Sequence, residues 1–136
     1  MKAKAPYDVK KWQEETIQQI PPSMKMTKAS VGFGLRGEIE GTAAVEYLMF
    51  YTNVDPKEQH KSTASYIGLM RIYGKISGKS GSFALADQGT FAAGIARSSL
   101  EIIEGSGTGD FKRIKGSATY EASHTGATFE LDYSLS

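Results

Sequence analysis

From Met24 to the C-terminus the chain alternates apolar and polar residues with a period of two, and glycines break the alternation at intervals. That period sends successive side chains to opposite faces, so it specifies half-buried β-strands joined by turns. Thr128–Leu135 shows it most cleanly, with Phe129, Leu131, Tyr133 and Leu135 on one face and Thr128, Glu130, Asp132 and Ser134 on the other. The same reading gives strands over Ala3–Lys10, Lys25–Arg36, Glu38–Thr52, Thr63–Ile76, Ser82–Thr90, Phe91–Glu104 and Lys115–Ala122. Only Trp12–Ile20 carries the mixed 3/4 spacing of a helical turn, and Pro21-Pro22 ends it.

Eight strands at hairpin spacing in so short a chain favour an up-and-down meander, and a meander of that size removes its open edges best by closing on itself. The expectation is an all-β chain forming one domain over residues 1–136, a single eight-stranded, mostly antiparallel calycin-like barrel. Such a barrel is either filled by side chains or holds one small ligand in a central cavity.

Glycine supplies 15 of the 136 residues, above the roughly 7% of average proteins, and its placement reads as bends and hairpins. Gly74-Lys-Ile-Ser-Gly78-Lys79-Ser80 has one residue too few between its glycines for a phosphate-binding loop, and a strand rather than a helix follows. Gly105-Ser-Gly107-Thr-Gly109-Asp110 has Asp110 where a dinucleotide fingerprint needs its third glycine, and no crossover helix follows. Both segments read as inter-strand turns.

Composition removes much of the usual catalytic machinery. The chain has no cysteine and two histidines. His60 falls in a charged loop and His124 in a hairpin turn, and neither has a ligand partner at metal spacing. No serine sits in a nucleophile elbow, which disfavours a hydrolase. No cofactor or metal is expected. Sixteen basic against fifteen acidic residues leave a net charge of +1, so no overall field directs the chain to nucleic acid or to an anionic membrane. The N-terminus lacks the apolar stretch of a secretory signal and no segment approaches a membrane span, so the expected compartment is the cytoplasm.

Residues 105–116 read GSGTGDFKRIKG, which resembles the GTG-x-F-x-x-x-x-G segment of the allene oxide cyclase and dirigent barrels. With Gly41–Met49 (GTAAVEYLM), Ser65–Gly68 (SYIG), Gly78–Phe83 (GKSGSF) and Leu131–Tyr133 (LDY), the chain resembles, from about Val9 onward, a small bacterial family of unknown function sharing that barrel. The resemblance implies the cavity barrel and an oligomer, but no activity, because a fold does not carry a reaction with it. Members of that family often have an acid where Met70 stands and a histidine where Asp87 stands, so chemistry shared through those two groups does not transfer.

Parity nominates the residues that line the interior. Met70 falls on the apolar face of its strand with Tyr66, and Asp87 on that of its own with Phe83. An inward carboxyl is costly unless hydrogen-bonded, and burial raises its pKa, which makes Asp87 a candidate catalytic residue. The bland alternative is a strand-end aspartate at the barrel mouth. Trp12 has the wrong parity for the interior. A bulge near Lys10-Lys11 would restore it and carry Glu14, the second candidate, inward as well. Tyr47, Tyr66, Tyr120 and Tyr133 sit on inward faces, where buried hydroxyls need partners or can orient a ligand oxygen. The expected ligand-lining set is thus Trp12, Tyr47, Tyr66, Met70, Phe83, Tyr120 and Tyr133.

Two strands are apolar on both faces: Leu48 and Phe50 oppose Tyr47 and Met49, and Ile67 and Leu69 oppose Tyr66 and Met70. A strand of that kind is covered on both sides, which points to a homo-oligomer, a dimer or a trimer. Three readings follow. The first is binding of a small, mostly apolar ligand, lipid- or polyketide-like. The second is an isomerase or cyclase using an inward carboxylate and tyrosines. The third is a structural oligomerisation module without a ligand.

Overall fold

The computed structural model describes residues 1–58 and 61–135, so His60 lies outside the described residues. Among the described residues nine strands form: β1 (Lys2–Ile20), β2 (Met24–Leu35), β3 (Ile39–Asn53), β4 (Thr63–Ile76), β5 (Lys79–Ala92), β6 (Ile95–Ile102), β7 (Thr108–Gly109), β8 (Lys115–Ser123) and β9 (Gly126–Ser134). Every pairing is antiparallel. Neighbours run β4-β3-β2-β1-β9-β8-β6-β5, and β4 also pairs with β5, so the sheet closes in a barrel-like ring that is not even about an axis.

The ninth strand is a departure from the eight expected. It comes from the glycine-rich turn: Thr108–Gly109 pairs with Gly81–Ser82 past the end of β6. Gly81 permits this approach, because a Cβ there would lie 2.1 Å from the Thr108 carbonyl oxygen. The β5–β6 turn also falls later than expected, at Ala93-Gly94, where both residues have positive φ, so Phe91 and Ala92 belong to β5.

The expected helical turn over 12–20 is absent, because β1 runs through it as a 19-residue strand. Its register against β2 shifts between Val9 and Lys11 and again between Thr16 and Gln18. Each bulge adds one residue to the strand. The second lies inside 12–20, and one extra residue in an alternating segment displaces its apolar positions into the 3/4 spacing of a helix.

The two ends of the ring differ. At one end the β6–β8 connection turns inward, burying Phe111 and Ile114 at 1% and 2% exposure, with Phe111 edge-on to Phe83 at 5.3 Å. Ile39, Ile72, Ile76, Leu85 and Leu131 fill the space behind them. At the other end β1 pairs with β9 only over Lys2–Pro6, because β9 starts at Gly126, and the rest of β1 projects beyond the ring on β2. Among the described residues no helix is long and apolar enough to cross a membrane.

Candidate functional site

The sheet register explains why the tyrosines gather. Tyr47 on β3 lies opposite Gly68 on β4, which lies opposite Asp87 on β5. One residue pair nearer the open end, Tyr66 lies opposite Gly89, Gly89 opposite Ser98, and Ser98 opposite Tyr120. The two glycines make the room. A Cβ on Gly68 would come within 2.7 Å of the Tyr47 ring, and one on Gly89 within 2.5 Å of the Tyr66 hydroxyl. Each tyrosine thus lies over the missing side chain of its neighbour strand, an arrangement that also pins register.

The hydroxyls form one chain. Tyr47 donates to Asp87 Oδ2 at 2.9 Å and is hydrogen-bonded to the Tyr120 hydroxyl. Tyr120 reaches the Tyr66 hydroxyl at 3.3 Å, and Tyr66 bonds Ser98 Oγ at 2.6 Å and donates to the Arg97 carbonyl at 3.4 Å. Asp87 is only 2% exposed, and burial raises its carboxyl from 3.8 to about 6 against the opposing pull of the Tyr47 bond. Burial likewise pushes Tyr47, Tyr66 and Tyr120 above the ordinary phenol value, with the nearby Asp87 charge adding to the rise. These phenols stay protonated. The chain can run in either direction: Tyr47 donates to an ionised Asp87 and accepts from a protonated one, with the hydroxyls beyond reorienting.

Above this chain opens a cavity of about 220 Å³ whose walls include Val9, Trp12, Phe33, Met49, Phe91 and Ala96, and whose polar lining includes Tyr7, Tyr47, Tyr66 and Tyr120. Tyr7 packs edge-on against Phe33 at 4.9 Å and Tyr120 at 5.7 Å. Its hydroxyl and Asp87 Oδ1 are the buried side-chain oxygens without a hydrogen-bond partner among the described residues.

The bulge between Val9 and Lys11 turns Trp12 and Glu14 to the inner face, opposite buried Val31 and Ala29. Glu14 lies on the projecting part of β1, exposed to solvent yet held by three donors: Thr27 Oγ1 at 2.6 Å, Tyr51 OH at 2.7 Å and Trp12 Nε1 at 3.1 Å. The Glu14 carboxylate thereby fixes the indole that forms part of the cavity wall.

Of the expected ligand-lining set, Trp12, Tyr47, Tyr66 and Tyr120 border the cavity. Met70, Phe83 and Tyr133 are inward and buried but lie in the packed part of the core, away from it. Around Met70 the packing leaves a gap of only about 10 Å³. Asp87 does not border the cavity and meets it through Tyr47. Tyr7, Ser98, Gly68 and Gly89 were not singled out by the sequence. Tyr7 shared the inward parity of Ala3 and Ala5 but had no second signal. Ser98 likewise shared the face of Ala96, Leu100 and Ile102, and the two glycines are visible only once cross-strand partners are known. Leu48, Ile67 and Leu69 lie on the outer face at 48%, 59% and 61% exposure. Among the described residues no three His, Asp or Glu side chains gather to hold a metal ion.

A model of a protein family of unknown function, DUF3224, matches residues 3–134. A crystal structure of a protein with unknown function from the same family, from Shewanella oneidensis MR-1, is similar with a TM-score of 0.80 and 23% identity, covering 100% of this chain and 98% of that one. No curated protein matches. Matched over nearly its whole length, the chain belongs to the DUF3224 family.

Proposed function

We propose that this chain is a calycin-like binding barrel of allene oxide cyclase-like architecture that takes up a small, mostly apolar molecule with one or two oxygens. The observation that carries this reading is the 220 Å³ cavity, in which apolar walls meet a patch of tyrosine hydroxyls. At roughly 30 Å³ per water, the space equals about seven waters, below the usual range for drug-sized ligands. It suits a monocyclic or short-chain molecule. The ligand oxygen faces the tyrosine hydroxyls of the lining, those of Tyr47, Tyr66 and Tyr120.

Native mass spectrometry of freshly purified protein tests this reading. The expected result is a co-purified small molecule that is lost in Ala96→Phe, where the larger side chain occupies the cavity. No adduct, together with no thermal shift from monocyclic phenols or medium-chain acids, overturns it.

A second reading, isomerisation or cyclisation of such a ligand, rests on Asp87. With its carboxyl raised to about 6 behind the Tyr47 hydroxyl, it suits acid–base work near neutral pH. Asp87 would then exchange a proton with the ligand oxygen by way of Tyr47. Turnover of the identified ligand that Asp87→Asn abolishes while binding persists would establish it, and an unchanged ligand after prolonged incubation would remove it.

A further inference from the structure

Among the described residues, the projecting part of β1 is hydrogen-bonded to β2 along one side and to no strand along the other, because β9 accompanies β1 only from Lys2 to Pro6. A long open edge is a template for another strand. Proteins that keep such an edge single commonly load it with charge of one sign, so that copies repel. Here the sign changes along the strand: Lys10-Lys11 is followed by Trp12-Gln13 and then by Glu14-Glu15. Read antiparallel, this segment complements itself. We propose that the β1 edge pairs with the β1 edge of a second copy of this chain, forming a two-fold dimer centred on Gln13.

The register follows from symmetry and charge. In an antiparallel ladder formed by two copies about a two-fold axis, one residue must face itself at the centre. The regular part of β1 lies between its two bulges, from Lys11 to Thr16. Centring on Glu14 sets two carboxylates opposite each other, which is unfavourable. Centring on Trp12 draws in Lys10, the residue displaced by the first bulge. Centring on Gln13 places Lys11 opposite Glu15 twice, once on each side of the axis, and stays within the regular segment.

Lys11 and Glu15 share the outer face, opposite Gly32 and Lys28, and neither forms an ion pair within its own chain among the described residues. Val9, Trp12 and Ile17 are each about half exposed along the same segment, so pairing also shelters apolar surface. Val9 and Trp12 belong to the cavity wall, so the dimer contact adjoins the cavity mouth. The inference does not depend on the cavity having an occupant. It differs from the homo-oligomer that the two-sided apolar strands suggest, which would bury Leu48, Ile67 and Leu69 instead.

The chain has no cysteine, so single cysteines report proximity cleanly. Residues facing each other across an antiparallel pair have Cα atoms about 4.5–5.5 Å apart, within disulfide range. Gln13→Cys is therefore expected to cross-link two chains under mild oxidation. Gln19→Cys, whose copies would lie roughly 40 Å apart, is expected to stay reduced. Light scattering should give a dimer for the unaltered chain. Lys11→Glu or Glu15→Lys alone should weaken dimerisation about tenfold, and the double exchange should restore it; circular dichroism checks that each variant is folded. A monomer at all concentrations, a dimer indifferent to the charge exchanges, or equal cross-linking at positions 13 and 19 overturns the proposal. So does a dimer dissolved by Ile67→Ser with Leu69→Ser while the edge variants are silent, which assigns the second copy to the outer face.

Discussion

The Tyr47 hydroxyl donates to Asp87 Oδ2 at 2.9 Å, from a ring that lies over Gly68 on the strand between them. The glycine lets the phenol reach across β4 to a carboxyl two strands away. Sequence patterning, steric room and electrostatics therefore meet at one hydrogen bond, and each can be perturbed separately.

Burial raises the Asp87 carboxyl from 3.8 to about 6, so the folded chain binds this proton more tightly than the unfolded chain. The group's favourable contribution is complete below pH 3.8 and is lost as the pH rises through about 6. The loss is on the order of 3 kcal/mol. Asp87→Asn lacks this titration, so wild-type stability should fall by about that amount relative to the variant between pH 4 and pH 7. Urea unfolding at several pH values measures it, and a constant difference would show that the carboxyl does not titrate in a buried site.

Tyr7→Phe removes a buried hydroxyl that has no partner. Leaving such a group unmade costs about 1–3 kcal/mol, so the variant should be more stable than wild type in thermal melts of the ligand-free protein. A stability loss would show that the hydroxyl is satisfied in solution.

Gly89→Ala places a methyl 2.3 Å from the Arg97 carbonyl oxygen and 2.5 Å from the Tyr66 hydroxyl. The strands must separate or Tyr66 must leave its bond to Ser98. The expected cost is about 2–3 kcal/mol, measured by chemical unfolding. Gly78→Ala serves as a contrast: it meets no atom within 4 Å, and only its positive φ opposes the change, which limits the loss to about 1 kcal/mol.

Deleting Lys10 removes the first bulge but leaves the pairs beyond it intact, with Lys11 facing Gly32, Trp12 facing Val31 and Glu14 facing Ala29. Trp12 and Glu14 therefore stay on the inner face, and the three hydrogen bonds to Glu14 are kept. Because Trp12 is the single tryptophan of the chain, its emission and its accessibility to an ionic quencher should change little. A red shift would mean that β1 slips in register once the extra residue is gone.

Parity alone put Tyr47, Tyr66, Asp87 and Tyr120 on inward faces, because a strand offers each side chain two directions and burial selects one. It could not set their height along the ring. Height depends on cross-strand register, so Met70, Phe83 and Tyr133 share the right face yet lie in solid packing rather than at the cavity. The bulge near Lys10-Lys11 was legible as the condition that would carry Trp12 and Glu14 inward. The second bulge was hidden, and with it the strand nature of residues 12–20. Phe111 stood in the sequence only as the aromatic of the GTG-x-F segment, and its burial gave no signal because that segment has no periodicity. Its burial comes from a turn geometry that Gly107 permits, where a Cβ would collide with the Phe111 carbonyl oxygen at 1.6 Å.

Phe111 and Ile114 stop one end of the ring, so the interior is a cul-de-sac and not a conduit. Under the proposed binding function, a molecule that enters past Val9 and Trp12 leaves by the same route. Entry and escape are thus governed by one doorway, and a change at that rim alters both rates together while leaving the depth of the hollow untouched. The first part of a molecule to enter is also the part that ends deepest, among the phenols, with its opposite end turned back toward water. A chemist attaching a tether or dye to an occupant has one direction in which to lead it out.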